Sequence, residues 1–546
     1  MKSALKFMSL VMFVCFSSAA YAKNISTIIP APSFEQKQEG AFYLTAATHL
    51  VSNQESSIAV EFLQNYLLKA TNVKLRKSND INDNAIIFDL NVSLEEEHGE
   101  EGYSLNITDE NIVITAATDG GLFYGVQSLR QLLPTEYENA DGHSALDTKL
   151  SGIKVVDKPR FKWRSYMLDE GRTFKGKYVV KKLLDQMALL KLNVFHWHLT
   201  EDWGWRIEIK KYPLLTSKGA YRTDTQTGAP MDWESTDTIG APHGGFYTQE
   251  EIKEIIAYAA NLNITIIPEI GMPGHVSAAI VAYPYLGTIT KPVEVPTNFA
   301  VKEGIYNISD PRVMEFIHDV LTEVMDLFPA TTIHIGGDEA KYNDWQKSVE
   351  MQAYMKEKGL DTPSEMQVLF NNELSAFLED NGHRMMGWTE IMGKKVHDWM
   401  NEDLKESKVP LSKNTIVHFW VGSAEQMAGA AIDGHDIVNS DTKYTYLDYT
   451  YETTSLEKTF SFDPIPEGLG PEYHHKVIGT GTQMWGEFIP TVSRLEQQTY
   501  PRIAANASAA WSDKQNMDYD HFLGSMGSLR KRWDAHNIDY AAEEIK

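Results

Sequence analysis

With 546 residues the chain is too long for one ordinary domain and long enough for a barrel plus a second domain. Its 42% hydrophobic and 23% charged residues are the proportions of a soluble globular protein. A formal net charge of −25 argues against non-specific binding to nucleic acid or other anionic polymers and suits a neutral or cationic ligand.

Residues 1–22 read as a secretory signal peptide. Lys2 and Lys6 precede an apolar run from Phe7 to Phe16, and Ala20-Tyr21-Ala22 supplies small residues for cleavage. The run is too short for a membrane span, and no other segment is apolar enough for one. The one cysteine, Cys15, lies inside this leader, after Val14 where a lipoprotein signal would want a small residue. The expectation is an exported chain, free of cysteine, with a net charge of −27 once Lys2 and Lys6 are gone. A large secreted chain without disulfides suits a bacterial periplasm or exterior.

Residues 23–158 predict a small α+β domain. Ala41–Thr45, Ile86–Leu90, Tyr103–Ile107 and Ile112–Thr115 read as strands between polar turns, and Ser57–Ala70 and Gly121–Leu133 carry apolar residues at helical spacing. No paired catalytic groups stand out there, so packing and support is its expected role. From residue 159 to 515 the pattern changes to strand–helix alternation. Eight candidate strands follow one another: Trp163–Leu168, Val194–Leu199, Thr265–Ile270, Thr332–Ile335, Met385–Trp388, Ile416–Trp420, Asp436–Val438 and Val477–Met484. Amphipathic stretches such as Lys177–Lys191, Gln249–Asn261, Pro311–Phe328 and Pro363–Asn381 lie between them, the pattern of a (β/α)8 barrel. Residues 516–546 carry Phe522, Leu523, Met526, Leu529 and Trp533 at helical spacing and are expected to pack as a helix on the barrel.

The C-terminal ends of barrel strands share one mouth, so residues there converge in space. In Thr332–Glu339 a short apolar strand ends in Gly336-Gly337 and delivers two adjacent carboxylates, Asp338 and Glu339. Adjacent acids raise each other's pKa, and cleaving an acetal needs one protonated acid and one charged carboxylate. Around the same mouth the strand ends place Arg172, Glu201 and Asp202, Glu269 and His275, Trp388 and Glu390, Trp420, Tyr444, Tyr446 and Asp448, and Trp485 and Glu487. Flat aromatic faces suit the C–H faces of a sugar ring, and carboxylates with a guanidinium suit its hydroxyls. Trp163, Trp203 and Trp205 read as packing. His196 and His198, alternate residues on one strand face, also have the spacing of a metal pair, which would make a zinc hydrolase. The tryptophan between them and the lack of further obvious ligands favour packing.

The stretches HWHLTEDWGWRIEI, PEIGMPGH, HIGGDE, YLDYTY and the W-x-E of Met484–Glu487 together resemble glycoside hydrolase family 20, the exo-acting β-N-acetylhexosaminidases, over nearly the whole mature chain. The resemblance implies that Glu339 is the general acid/base and that Asp338 orients and charge-stabilises the substrate's own acetamido group. It implies that Arg172 holds the 3- and 4-hydroxyls, that Asp448 and Glu487 hold the 4- and 6-hydroxyls, and that Tyr446 bonds the acetamido oxygen. Trp388, Trp420 and Trp485 would enclose the acetamide methyl and the ring, and His275 with Asp202 would tune the acid. Glu201, where many members have a second aspartate, leaves open which acid touches His275.

The implied chemistry is substrate-assisted retention, an exception among retaining glycosidases in that no enzyme carboxylate attacks carbon. The N-acetyl oxygen attacks the anomeric carbon while Glu339 protonates the leaving oxygen, and water then opens the oxazolinium. Glu339 then has to hold a proton near neutral pH, which the charge of Asp338 and a partly dry aromatic pocket favour. The expected partner is a chitooligosaccharide or another GlcNAc-terminated glycan, with no metal and no cofactor. A metal-dependent barrel hydrolase and a non-catalytic sugar-binding protein remain as alternatives.

Overall fold

The computed structural model describes residues 26–545 apart from 55–56, 80, 82–83, 230, 301–303 and 398–404. The expected signal peptide therefore lies outside the described residues. In the N-terminal part seven strands form one mixed sheet, in the spatial order Phe34–Thr45, Asp147–Asp157, Tyr103–Ile107, Asn111–Ala116, Ala85–Leu90, His49–Ser52 and Arg76–Lys77. Four of these strands contain the segments read from sequence. The edge pairing of Phe34–Thr45 with Asp147–Asp157 is antiparallel with a register shift between Lys37 and Ala41. Both strands alternate buried and exposed residues and carry several lysines and acids on the exposed face, which dilutes their apolar signal. Helices Ile58–Thr71 and Asp119–Leu132 start at Ser57 and Thr118, whose hydroxyls accept from the backbone N–H three residues on. Their buried faces join the sheet in one apolar core.

The second part is a closed barrel of eight parallel strands. In chain order they are Trp163–Asp169, Val194–His198, Thr265–Glu269, Thr332–His334, Arg384–Trp388, Ile416–Phe419, Asp436–Asn439 and Val477–Met484. All eight coincide with the strands read from sequence to within a residue or two at their ends. The last pairs with the first from Gly479 against Trp163 to Met484 against Leu168, which closes the ring. Alternation decides what faces inward. Trp163, Val194, Ile267, Met386, Ile416, Val438 and Ile478 fill the lower interior. Above them lies a buried polar layer containing His196, Glu269, His334, His418 and Gln483. Trp388, Tyr446 and Trp485 cluster above that.

The helix Tyr519–Ala535 buries Phe522, Met526, Leu529 and Trp533, and Trp533 meets Tyr500 at 5.3 Å between ring centres. It also reaches beyond the barrel. Arg532 donates to Glu138 at 2.5 Å and to the carbonyls of Gln131 and Leu133, so the tail ties the N-terminal sheet domain to the barrel. Between the two parts, Asp157 accepts from Lys191 at 2.8 Å and from the indole of Trp511 at 3.0 Å. Among the described residues no helix is long and apolar enough to cross a membrane.

Candidate active site

A cavity of about 500 Å³ opens at the C-terminal ends of the barrel strands. Arg172, Asp338, Glu339, Trp388, Trp420, Tyr446, Asp448, Trp485 and Glu487 all line it, and His275 and Asp202 stand directly behind the acid pair. The barrel thus brings together the residues to which the family resemblance assigns a role, whereas Tyr444 turns away and stacks on Phe462 at 4.9 Å.

The acid pair is presented by strained backbone. Gly336 and Gly337 have φ of +68° and +92°, and Glu339 itself is left-handed at +45°. A Cβ on Gly337 would stand 2.4 Å from the Ile391 side chain, so the turn requires glycine. His275, also left-handed at +57°, faces the pair. Its Nε2 lies 3.4 Å from Glu339 and 3.8 Å from Asp338. Its Nδ1 lies 3.2 Å from Glu201 and 3.1 Å from Asp202, so both acids of the Glu201–Asp202 pair hold it. Asp202 is fixed in turn by the backbone N–H and hydroxyl of Ser277, at 2.9 and 2.6 Å. Burial disfavours charge on the imidazole, but Glu201 and Asp338 outweigh it and raise its pKa well above the ordinary histidine value. His275 is therefore a cation at neutral pH.

Burial, then the charges of Glu390, Glu269 and Glu339, push the Asp338 carboxyl up to about 7 against the pull of His275. The Asp338 carboxyl therefore exchanges its proton close to neutral pH, beside Glu339 on the next residue.

Arg172 is gripped by three carboxylates from three strand ends. Its Nη1 meets Asp169 at 3.0 Å, its Nη2 meets Glu201 at 2.6 Å, and its Nε meets Glu487 at 3.2 Å. The guanidinium lies between the rings of Trp203 and Trp485, at 5.0 and 4.8 Å. Trp203, read from sequence as packing, thus positions a site residue. Glu201 is buried, yet Arg172 and His275 hold its pKa well below the carboxylate range. Asp448 is the opposite case. Burial and then the charge of Glu487 raise its pKa well above the usual range, and its Oδ1 is buried without a hydrogen-bond partner. Buried polar atoms without partners at a cavity wall are matched to a polar ligand.

The aromatic wall is held by acids that the sequence reading left without a role. The Trp388 indole donates to Glu269 at 2.8 Å, and the Trp420 indole donates to Glu390 at 2.9 Å. Glu390 also takes His397 at 2.7 Å. Trp420 lies parallel to Tyr446 with ring centres 6.0 Å apart, and Trp388 meets Trp485 at 5.6 Å.

His196 and His198 do not form a metal pair. Both turn to one oxygen of Glu269, at 2.7 and 2.8 Å. Burial opposes charge on His198, but Glu269 and Glu201 push its pKa up to about 10. Among the described residues two groups do have metal-ligand spacing: His196 with His334 and His418, and Glu201 with Asp202 and His275. The second group is already engaged by Arg172 and Ser277. In the first, His418 contacts His334 at 3.3 Å and Ser440 at 2.9 Å, and His196 is paired with Glu269.

The geometry has counterparts in known proteins. The model of the glycosyl hydrolase family 20 catalytic domain matches residues 161–514, and that of the family's domain 2 matches residues 26–158. A β-hexosaminidase of Porphyromonas gingivalis is 33% identical over 534 residues, covering 95% of this chain; the chain spans 65% of that protein's length. One from Vibrio furnissii is 32% identical over 506 residues, 89% of this chain and 77% of its own. The solved structure of an exo-β-N-acetylglucosaminidase from Vibrio harveyi, in complex with N-acetylglucosamine, superimposes with a TM-score of 0.81 at 31% identity, covering 94% of this chain and 78% of that one. This chain belongs to glycosyl hydrolase family 20.

Proposed function

We propose that the chain is an exo-β-N-acetylhexosaminidase that releases terminal non-reducing GlcNAc, and by extension GalNAc, from β-linked oligosaccharides by substrate-assisted retention. The observation that carries the reading is the single cavity that joins the Asp338–Glu339 pair, the Arg172 clamp and a tryptophan-walled recess. Arg172, Asp448 and Glu487 take the hydroxyls of the terminal ring and close the pocket behind it. Trp388, Trp420 and Trp485 enclose the acetamide, and the Tyr446 hydroxyl donates to its oxygen.

With the acetamide so held, its oxygen attacks the anomeric carbon as Glu339 gives its proton to the glycosidic oxygen. Asp338, ionised at that moment, accepts from the acetamide N–H and stabilises the oxazolinium cation. Glu339 then takes a proton from water as it opens that ring, which restores the β-configuration. Asp338 and Glu339 leave one turn side by side, a poor arrangement for the opposed carboxylate pair of an ordinary retaining enzyme. The His275 cation, fixed by Glu201 and Asp202, orients the pair. The lysine-led apolar stretch at residues 1–22 supports export as part of the same proposal, to a bacterial periplasm or exterior where chitin fragments or other GlcNAc-terminated glycans are degraded.

A panel of β-glycosides tests the mechanism. The GlcNAc glycoside should be cleaved, the matching glucoside, with a hydroxyl in place of the acetamide, should be almost inert, and a thiazoline mimic of the oxazolinium should bind tightly. Brisk cleavage of the glucoside, or a sugar found attached to Asp338 by mass spectrometry, would overturn it.

A further inference from the structure

Trp233, Phe299 and Phe488 also line the same cavity and have no part in holding the terminal sugar. Phe488 directly follows Glu487, whose carboxylate meets Arg172, so one residue carries the chain from the pocket to its rim. Trp233 stands edge-on to Phe488 with ring centres 5.2 Å apart at 73°, Phe488 lies 6.3 Å from Phe299, and Phe299 lies 5.3 Å from Trp203. Since Trp203 stacks under Arg172, an aromatic path leads from the sugar clamp out to solvent.

The rim is built in advance of any ligand. Trp233 belongs to a long segment between the paired strands Tyr221–Arg222 and His243–Gly244. Long irregular segments in compact domains are either mobile or functional. This one is pinned largely through the buried Gln226, with Thr227 also donating to the Asp237 carbonyl at 2.8 Å. The Gln226 amide donates to the carbonyls of Trp233 and Ser235 at 3.1 and 2.8 Å, and its oxygen accepts from the Phe299 backbone at 2.8 Å. The Gln226 backbone N–H donates to Thr297 at 2.8 Å, and the Trp203 indole donates to Asn298 at 2.9 Å. One amide thus fastens the loop of Trp233 to the loop of Phe299. Phe299 is fully buried and serves as backing, whereas Trp233 and Phe488 stay partly exposed. Large aromatic faces left half open beside a sugar pocket suit the apolar C–H face of another pyranose.

We infer that Trp233 and Phe488, backed by Phe299, form a platform for the ring on the leaving side of the scissile bond. This rests on the proposed hexosaminidase reading, in which Arg172, Asp448 and Glu487 close the far side of the terminal sugar, so the next ring must leave across the rim. The substrate class is accordingly a terminal β-linked N-acetylhexosamine attached to a further pyranose, held more tightly than one attached to an alkyl group.

The test compares kcat/KM of the full chain on chitobiose, on GlcNAc β-linked to mannose, and on methyl β-N-acetylglucosaminide, which has no second ring. Trp233→Ala should lower kcat/KM on at least one of the disaccharides by about tenfold, chiefly through KM, while leaving the methyl glycoside within about twofold. Phe488→Ala should act in the same direction, and Trp233→Phe should recover most of the loss. A loss confined to chitobiose would mark the platform as one for GlcNAc, and losses on both disaccharides would mark it as one for pyranoses in general. Equal losses on all three substrates, or none on either disaccharide, would overturn the platform. A wild-type chain that cleaves none of the three would refute the hexosaminidase reading itself.

Discussion

Arg172 and Glu201 stand 2.6 Å apart, and the other oxygen of the same carboxylate lies 3.2 Å from His275. One buried anion therefore serves both the guanidinium proposed to clamp the sugar hydroxyls and the imidazolium that faces the acid pair. Removing its charge leaves two buried cations short of a partner, a change that costs about 2–5 kcal/mol of transition-state binding in comparable sites. Glu201→Gln should accordingly lower kcat/KM strongly. Without Glu201 the burial of His275 gains weight, so its pKa falls and the imidazolium is lost at a lower pH than in the wild type. The pH profile of kcat/KM should then show its basic limb displaced to lower pH. An unmoved limb with weaker substrate binding would assign Glu201 to the clamp alone.

Glu339→Gln removes the proposed acid and base together. On chitooligosaccharides turnover should fall by more than the ~10²–10⁴-fold that acid catalysis alone supplies, since the same residue serves both steps. A leaving group that needs no proton, such as dinitrophenolate, should show a much smaller loss in its first step, visible as a burst. Equal, modest losses on both substrates would sink the assignment.

Asp338 should carry a stability cost. Its carboxyl is pushed up to about 7 from an ordinary 3.8, mainly by burial. The native state therefore binds this proton more tightly than the unfolded chain. The contribution to stability is fully present below about pH 4 and is lost as pH rises through about 7, amounting to about 4 kcal/mol at pH 8. Asp338→Asn should unfold at a higher temperature than wild type at pH 8, and the gap should close towards pH 4. The same variant should turn over slowly and lose the acidic limb of the kcat/KM profile. A variant less stable than wild type at pH 8 would contradict a buried, destabilising charge.

Chelation should have no effect. In both side-chain groups with metal-ligand spacing, ligand atoms are already engaged, by Arg172 and Ser277 in one and by Glu269 and Ser440 in the other. Dialysis against EDTA should leave turnover unchanged, and elemental analysis should find no stoichiometric zinc. Activity lost to EDTA and restored by Zn²⁺ would return the histidines to the chemistry.

Much of this fold was legible because the barrel strands are short apolar runs that end in acids, aromatics or glycines, signals local to each segment. The strand Asp147–Asp157 and the first half of Phe34–Thr45 were not legible, because a half-exposed strand shows its apolar residues only at intervals among lysines and acids. Alternation in Val194–His198 did place His196 and His198 on one face, but the partner that gives them their role, Glu269, lies on the neighbouring strand. Likewise Glu390 behind Trp420, and Trp203 under Arg172, act through contacts that no spacing along the chain announces.

By itself the sequence determined the pair Asp338–Glu339, the glycine turn that presents it and the order of residues around the mouth, since each depends on neighbours a few residues apart. Only the tertiary structure decided that Glu201 serves Arg172 and His275 at once, that His196 and His198 turn to one oxygen of Glu269, and that Trp233 reaches the rim. These depend on closing the barrel. Its strands are joined by crossovers of many residues, and burial and charge at the mouth are sums over all of them, set only when the last strand pairs with the first.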